Sequence, residues 1–292
     1  MAISDVVSEQ APGSAAESRQ SYQIGTVLVD GCLLALPVVA IIWMFLLPEG
    51  VKEGLVLAYR QPTLRTAVAA HFVHFTRSHL LANLLGYVVV VPTAYAFSLL
   101  SGRRREFLVA VAVILFTFPL VLSWLNVQLV RPRIGYGFSG VLLALAGLLT
   151  LSLGWLIADR MAIGFTDRHT PLLFFGGTAV IVTRGLPRTD LLMGAILFVG
   201  VGLVLYGGEL STRVVSRMQG LESSTIDTDD AMLMVGGLGL VLTLPVAAFP
   251  TEAVNGHSVV NLYIHFLGYS LGFITPFGTF QLAAWLDERP MR

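Results

Sequence analysis

Runs of about twenty apolar residues recur along this chain, and they limit what it can become. A helix needs about 20 residues to cross a hydrocarbon layer of ~30 Å. No water inside that layer can satisfy a backbone N–H or C=O, so the runs must fold as helices that bond internally. Eight such segments stand out, at 25–47, 79–100, 107–126, 139–158, 172–183, 191–210, 231–249 and 259–277. The fifth is short for a span, and Arg184 at its end can snorkel outward to lengthen it. Composition agrees: 55% of the 292 residues are hydrophobic, only 12% are charged, and the mean hydropathy is +0.78. The expected fold class is an all-α polytopic membrane protein.

The same numbers exclude other classes. A net charge of +0 offers no basic surface to nucleic acid. Cys32 is the only cysteine, so no intrachain disulfide and no cysteine-based metal site can form. No motif calls for a cofactor, and the partner implied by composition is membrane lipid.

Three regions follow from the pattern: a polar, mobile tail over 1–22, a transmembrane domain over 23–280, and a tail over 281–292. The first span is too long for a cleaved signal peptide and is read as a retained anchor. Asp30, near its inner end, is expected to reach the headgroup layer. The link over 48–78 mixes charge with Leu, Val, Tyr and Phe, which predicts short amphipathic segments at the membrane surface. The clearest positive-inside mark is Arg103-Arg104-Arg105. With eight spans, both termini lie in the cytoplasm, and the protein belongs in the cell membrane. Parity then brings the starts of the second, fourth and last spans, near His79, Ser139 and His265, to one leaflet.

Those three starts carry the polar residues of interest. Ser139 lies in Gly137-Phe138-Ser139-Gly140 and opens an apolar run. Gly137 and Gly140 let the backbone turn tightly and let another group come close. The hydroxyl either caps its helix or does chemistry. His265 lies three residues before Gly268 and seven before Gly272, on one face that another helix backbone can approach. It either bonds a backbone carbonyl or serves as a base. His79 and Asn83 are one helical turn apart and can both donate hydrogen bonds into a shared pocket, as an oxyanion would require. His71, His74 and His79 could suggest a metal, but no cysteine and no dense carboxylate set accompanies them, so no metal site is assigned.

Taken together, the residues His74, His79, Asn83, Gly137-Phe138-Ser139-Gly140, His265, Gly268 and Gly272 resemble the pattern of the rhomboid-family intramembrane serine proteases. The resemblance covers about residues 26–278 and implies a rhomboid-like helical bundle, here with two extra spans between the serine and histidine helices. It implies Ser139 as nucleophile and His265 as its general base. It also implies an oxyanion site from His79, Asn83 and the Ser139 amide, with His74 supporting the second helix. The substrates implied are transmembrane segments of other proteins, cut through an acyl-enzyme.

The chemistry of the residues agrees, because a serine hydroxyl needs a base and neutral histidine is the usual one near pH 7. No acid is placed to make a triad, so a dyad is expected. Val141 stands where an α/β-hydrolase elbow needs glycine. Two positions depart from the family pattern. Arg65 lacks a preceding tryptophan, and Leu143 replaces an aromatic residue four after the serine, so the imidazole is expected to lose a stacking contact. Two other readings compete: an inactive rhomboid-like protein that binds membrane helices, and a multi-span transporter. The retained serine and histidine oppose the first. The lack of mid-membrane carboxylates and of an internal repeat opposes the second.

Overall fold

The apolar runs fold as helices. A computed structural model describes residues 24–129, 134–160, 164–185, 190–218, 228–249, 254–255 and 258–287. The tail expected over 1–22 lies outside them, as do residues 288–292. In chain order the helices are α1 (Ile24–Phe45), α2 (Glu49–Glu53), α3 (Leu64–Ala69), α4 (Arg77–Leu100), α5 (Arg104–Val127), α6 (Ser139–Arg160), α7 (Pro171–Gly185), α8 (Asp190–Met218), α9 (Thr228–Ala248) and α10 (Leu262–Asp287). The last of these continues past residue 280, so the boundary drawn there for a tail falls inside a helix.

Among the described residues, six segments are long and apolar enough to cross a membrane, as a multi-pass protein requires: Ile24–Phe45, Arg77–Leu100, Arg104–Val127, Ser139–Arg160, Leu192–Thr212 and Thr228–Ala248. The 15 residues of α7 rise only ~22 Å. The 26 residues of α10 are long enough, but Tyr, His, Thr and Gly dilute their hydropathy.

The chain divides into two compact units, Met1–Pro37 and Val38–Arg292. In the first, the described residues form the beginning of α1. Asp30, expected to reach the headgroups, is instead 1% exposed. The reason is reach: lysine and arginine snorkel on three or four methylenes, and aspartate has one.

The second unit is built around α6. Every residue from Gly140 to Ile157 is buried, as expected of a helix that is apolar on all sides. Its main neighbours are α4 and α10, with α5, α7 and α9 completing the surround. Small residues let α10 come close. A Cβ at Gly268 would collide with the Gly140 carbonyl, and one at Gly272 with the Ala144 carbonyl. On α6, Gly147 answers them, because a Cβ there would strike the backbone of Tyr269 and Phe273. Such contact between bare backbones is how helices associate without a hydrophobic drive.

The link after α1 is more ordered than surface segments alone. Strand β1 (Leu57–Ala58) pairs antiparallel with β2 (Ile134–Gly135), matching Leu57 to Gly135 and Ala58 to Ile134. These strands, with the pair Val254–Asn255 (β3) and Ser258–Val259 (β4), are additions to the all-α expectation. Thr63 and Thr66 form a reciprocal capping box that starts α3. Leu64, 81% exposed on α3, faces outward as an interfacial helix would. Lys52 is buried, its Nζ donating to the Phe45 and His74 carbonyls at 3.4 and 3.5 Å and lying near the Phe45 and Phe75 rings.

Candidate active site

Three helix starts converge, and each is set by local chemistry. The Thr76 side chain accepts from the His79 amide at 3.3 Å and caps α4, which fixes His79 in the first turn. Asn261 does the same for α10, accepting from the Ile264 amide at 3.3 Å, with His265 one residue on. Gly137, at φ +105°, supplies the left-handed turn that leads into Ser139, the first residue of α6. A side chain at Gly137 would also run into the His79 imidazole. The Gly137 amide donates to the Ala70 carbonyl at 2.9 Å, so the serine loop is fastened to the long link a second time.

His265 Nε2 lies 2.8 Å from Ser139 Oγ, and His265 Nδ1 lies 2.9 Å from the Ala248 carbonyl oxygen. A carbonyl only accepts, so Nδ1 must carry the proton. In a neutral imidazole Nε2 is then a bare lone pair, and the Ser139 hydroxyl donates to it. His265 thus bonds a backbone carbonyl through one nitrogen and faces the serine hydroxyl through the other. Ala248 ends α9, so its carbonyl has no partner four residues on and is free to accept. The imidazole is buried, 7% exposed, and the Phe249 ring meets it edge-on at 5.9 Å and 83°. Leu143 brings no ring to stack on the imidazole; its aromatic neighbour is an edge-on one, supplied by the segment before α10.

Of the other predicted residues, His79 packs against the serine loop and against His74. His79 is half-buried, with its ring over Gly137, 5.9 Å from the Tyr136 ring and 4.7 Å from the His74 ring. Asn83 is buried and donates one amide N–H to the His79 carbonyl at 2.9 Å, leaving the second N–H of that amide. The Ser139 amide, first in its helix, has no carbonyl four residues back, and the positive end of the α6 dipole lies there. His74 is fully buried, and its Nδ1 donates to the Phe72 carbonyl at 3.2 Å. Among the described residues, the buried His74 Nε2 and Asn83 Oδ1 have no hydrogen-bond partner. His71 turns away: its Nε2 meets the Pro119 carbonyl and Ser123 Oγ, each at 3.0 Å, and ties the link to α5. Burial pushes the imidazoles of His71 and His74 down, each to about 4, so both are neutral near pH 7.

Several supporting residues escaped the sequence reading. Asn126 donates to Tyr59 Oη at 3.0 Å, and Asn261 donates to Asn126 Oδ1 at 2.9 Å. The Tyr59 ring in turn fills the space beside Gly135. This chain of contacts runs from beneath the serine loop to the start of the histidine helix. Asn126, a polar residue ending the third apolar run, and Asn261, four before His265, were the signals available.

Compared with family models, curated proteins and solved structures, the chain matches none of them.

Proposed function

We propose that this protein is an intramembrane serine endopeptidase of the rhomboid type, with eight spans in the cell membrane and both termini cytoplasmic. The observation that carries the reading is the relay from Ser139 Oγ through His265 to the Ala248 carbonyl. It prepares the two things a serine nucleophile needs: a base lone pair in contact, and a fixed tautomer behind it.

In the proposed reaction, Ser139 Oγ attacks the carbonyl carbon of a peptide bond in a transmembrane segment while His265 Nε2 takes the hydroxyl proton. The tetrahedral oxyanion is met by the Ser139 amide and by donors from His79 and Asn83. As the C–N bond breaks, His265 returns the proton to the leaving amine, and an ester on Ser139 remains. Water, deprotonated by the same imidazole, then releases the acid product. The Ala248 carbonyl stabilises the imidazolium through Nδ1–H, the part an aspartate plays in a triad.

The test pairs a serine-directed activity probe with cleavage of a generic transmembrane substrate in liposomes. Wild type is expected to react in both assays, and Ser139→Ala to lose both, with a fall in kcat of about 10⁴ or more. Equal behaviour of the two proteins refutes the protease reading. Full activity in His265→Ala refutes the base assignment alone.

A further inference from the structure

At the end of the bundle away from the dyad lies a second, smaller site. Trp155 follows Ser139 by sixteen residues on α6, which places it ~24 Å along the helix. Beside it is a cavity of about 160 Å³ lined by Arg103, Trp155, Asp167, Phe277, Phe280 and Gln281. Arg103 pairs with Asp167 through Oδ2 and lays its guanidinium over the Trp155 ring at 5.3 Å. The Phe280 ring lies 5.8 Å from that of Trp155, tilted against it. Among the described residues the remaining carboxylate oxygen, Asp167 Oδ1, has no hydrogen-bond partner, while the Asp167 side chain as a whole is 31% exposed.

A buried carboxylate oxygen without a donor is costly. Arg103 donates to Oδ2, and the cavity beside the carboxylate is a space from which a further donor can come. The aromatic walls favour a cation there, because ring faces attract positive charge. The surroundings say which cation a membrane protein meets at this level. Here α4 ends at Leu100, α5 begins at Arg104 and α6 ends at Arg160. Arg160 joins Asp230 at 3.2 Å close by, so this is where the bundle passes into the headgroup layer.

We propose that this cavity binds the headgroup of phosphatidylethanolamine. The ammonium donates to Asp167 Oδ1 against the aromatic walls, and the phosphate lies toward Arg103 and the exposed Arg105. The charges of Arg103 and Asp167 cancel, which suits a zwitterion. A choline headgroup carries no N–H to give Oδ1 and is bulkier. A phosphatidylglycerol headgroup brings net negative charge and no cation for the rings.

The experiment uses the full chain, stripped of lipid and placed in nanodiscs of phosphatidylcholine alone or with one-fifth phosphatidylethanolamine or phosphatidylglycerol. Lipid retained on extraction is read by native mass spectrometry. Wild type is expected to keep one phosphatidylethanolamine per chain and to lose the other two lipids. Asp167→Asn should weaken retention at least tenfold, while Asp230→Asn, at the same end of the bundle, should retain it. If Asp167→Asn misfolds, Ala284→Trp fills the cavity, which Ala284 also lines from α10, without replacing either residue of the ion pair, and it should also abolish retention. Retention of phosphatidylcholine or phosphatidylglycerol at the same level overturns the proposal. So does phosphatidylethanolamine held unchanged by Ala284→Trp. The outcome is independent of whether Ser139 cleaves peptides.

Discussion

A single hydrogen bond decides which nitrogen of His265 faces the serine. The bond goes to a backbone carbonyl, so no side-chain substitution at Ala248 removes it, whereas the aromatic support beside it can be removed. Phe249→Ala takes away an edge-on contact of the kind worth about 0.5–1.5 kcal/mol. Substrate cleavage should fall about 2- to 12-fold while Ser139 still reacts with the probe; a variant at wild-type rate would leave Phe249 without a role. At Gly272 no side chain fits, because a Cβ would meet the Ala144 carbonyl. Gly272→Ala should lose about 1–3 kcal/mol of stability, read as a lower unfolding midpoint in detergent. The buried histidines outside the spans make a pH prediction. His71 and His74 have folded pKa values of about 4, below the ordinary 6.5. Between those values the unfolded chain takes up protons that the folded chain refuses, so stability is full above about 6.5 and falls as pH drops toward 4. The loss is on the order of 3 kcal/mol per histidine. An unfolding midpoint that stays level from pH 7.5 to 4.5, or a slope not reduced in His71→Asn, would contradict this.

At the scale of elements, the site is held by a small clamp. The β1–β2 pairing and the Gly137 amide bond fasten the serine loop to the link, and Tyr59, Asn126 and Asn261 carry the contact on to α10. Gly135→Val would displace the Tyr59 ring and with it this whole line. A misplacement of about 1 Å in a catalytic group costs about 10²-fold in rate. Cleavage should fall by that order with little change in helicity by circular dichroism; wild-type cleavage would show that the clamp does not position the dyad. The link itself was legible only in part. Its mixed composition marked amphipathic segments, and Leu64 on α3 is exposed as such a segment demands. Its pairing with Ile134–Gly135 was not visible, because two-residue strands have no periodicity to read.

For the whole molecule, the proposed eight spans depend on whether α7, at 15 residues, crosses. In a Cys32→Ser background, cysteines at Ser78 and Ser101 mark the two ends of α4 and should label from opposite sides. Thr183→Cys should label with Ser78, and Thr228→Cys with Ser101. Thr183→Cys labelling with Ser101 would remove α7 from the count. The sequence alone determined that the chain must be helical, because only internally bonded segments survive in hydrocarbon. It also determined which side chains could act, since few polar residues interrupt the runs, and on the proposed eight spans parity puts His79, Ser139 and His265 at one depth. The tertiary structure alone decided how those side chains are supported. The acceptor behind His265 is the Ala248 carbonyl, a group every residue carries and no residue type announces. The Phe249 ring, the Tyr59–Asn126–Asn261 line and the Asp167 cavity join positions far apart in the chain, and no local rule of spacing links them. The Gly137-Phe138-Ser139-Gly140 turn marked where chemistry could occur; the packing of α9 and α10 against α6 determined which groups face the serine.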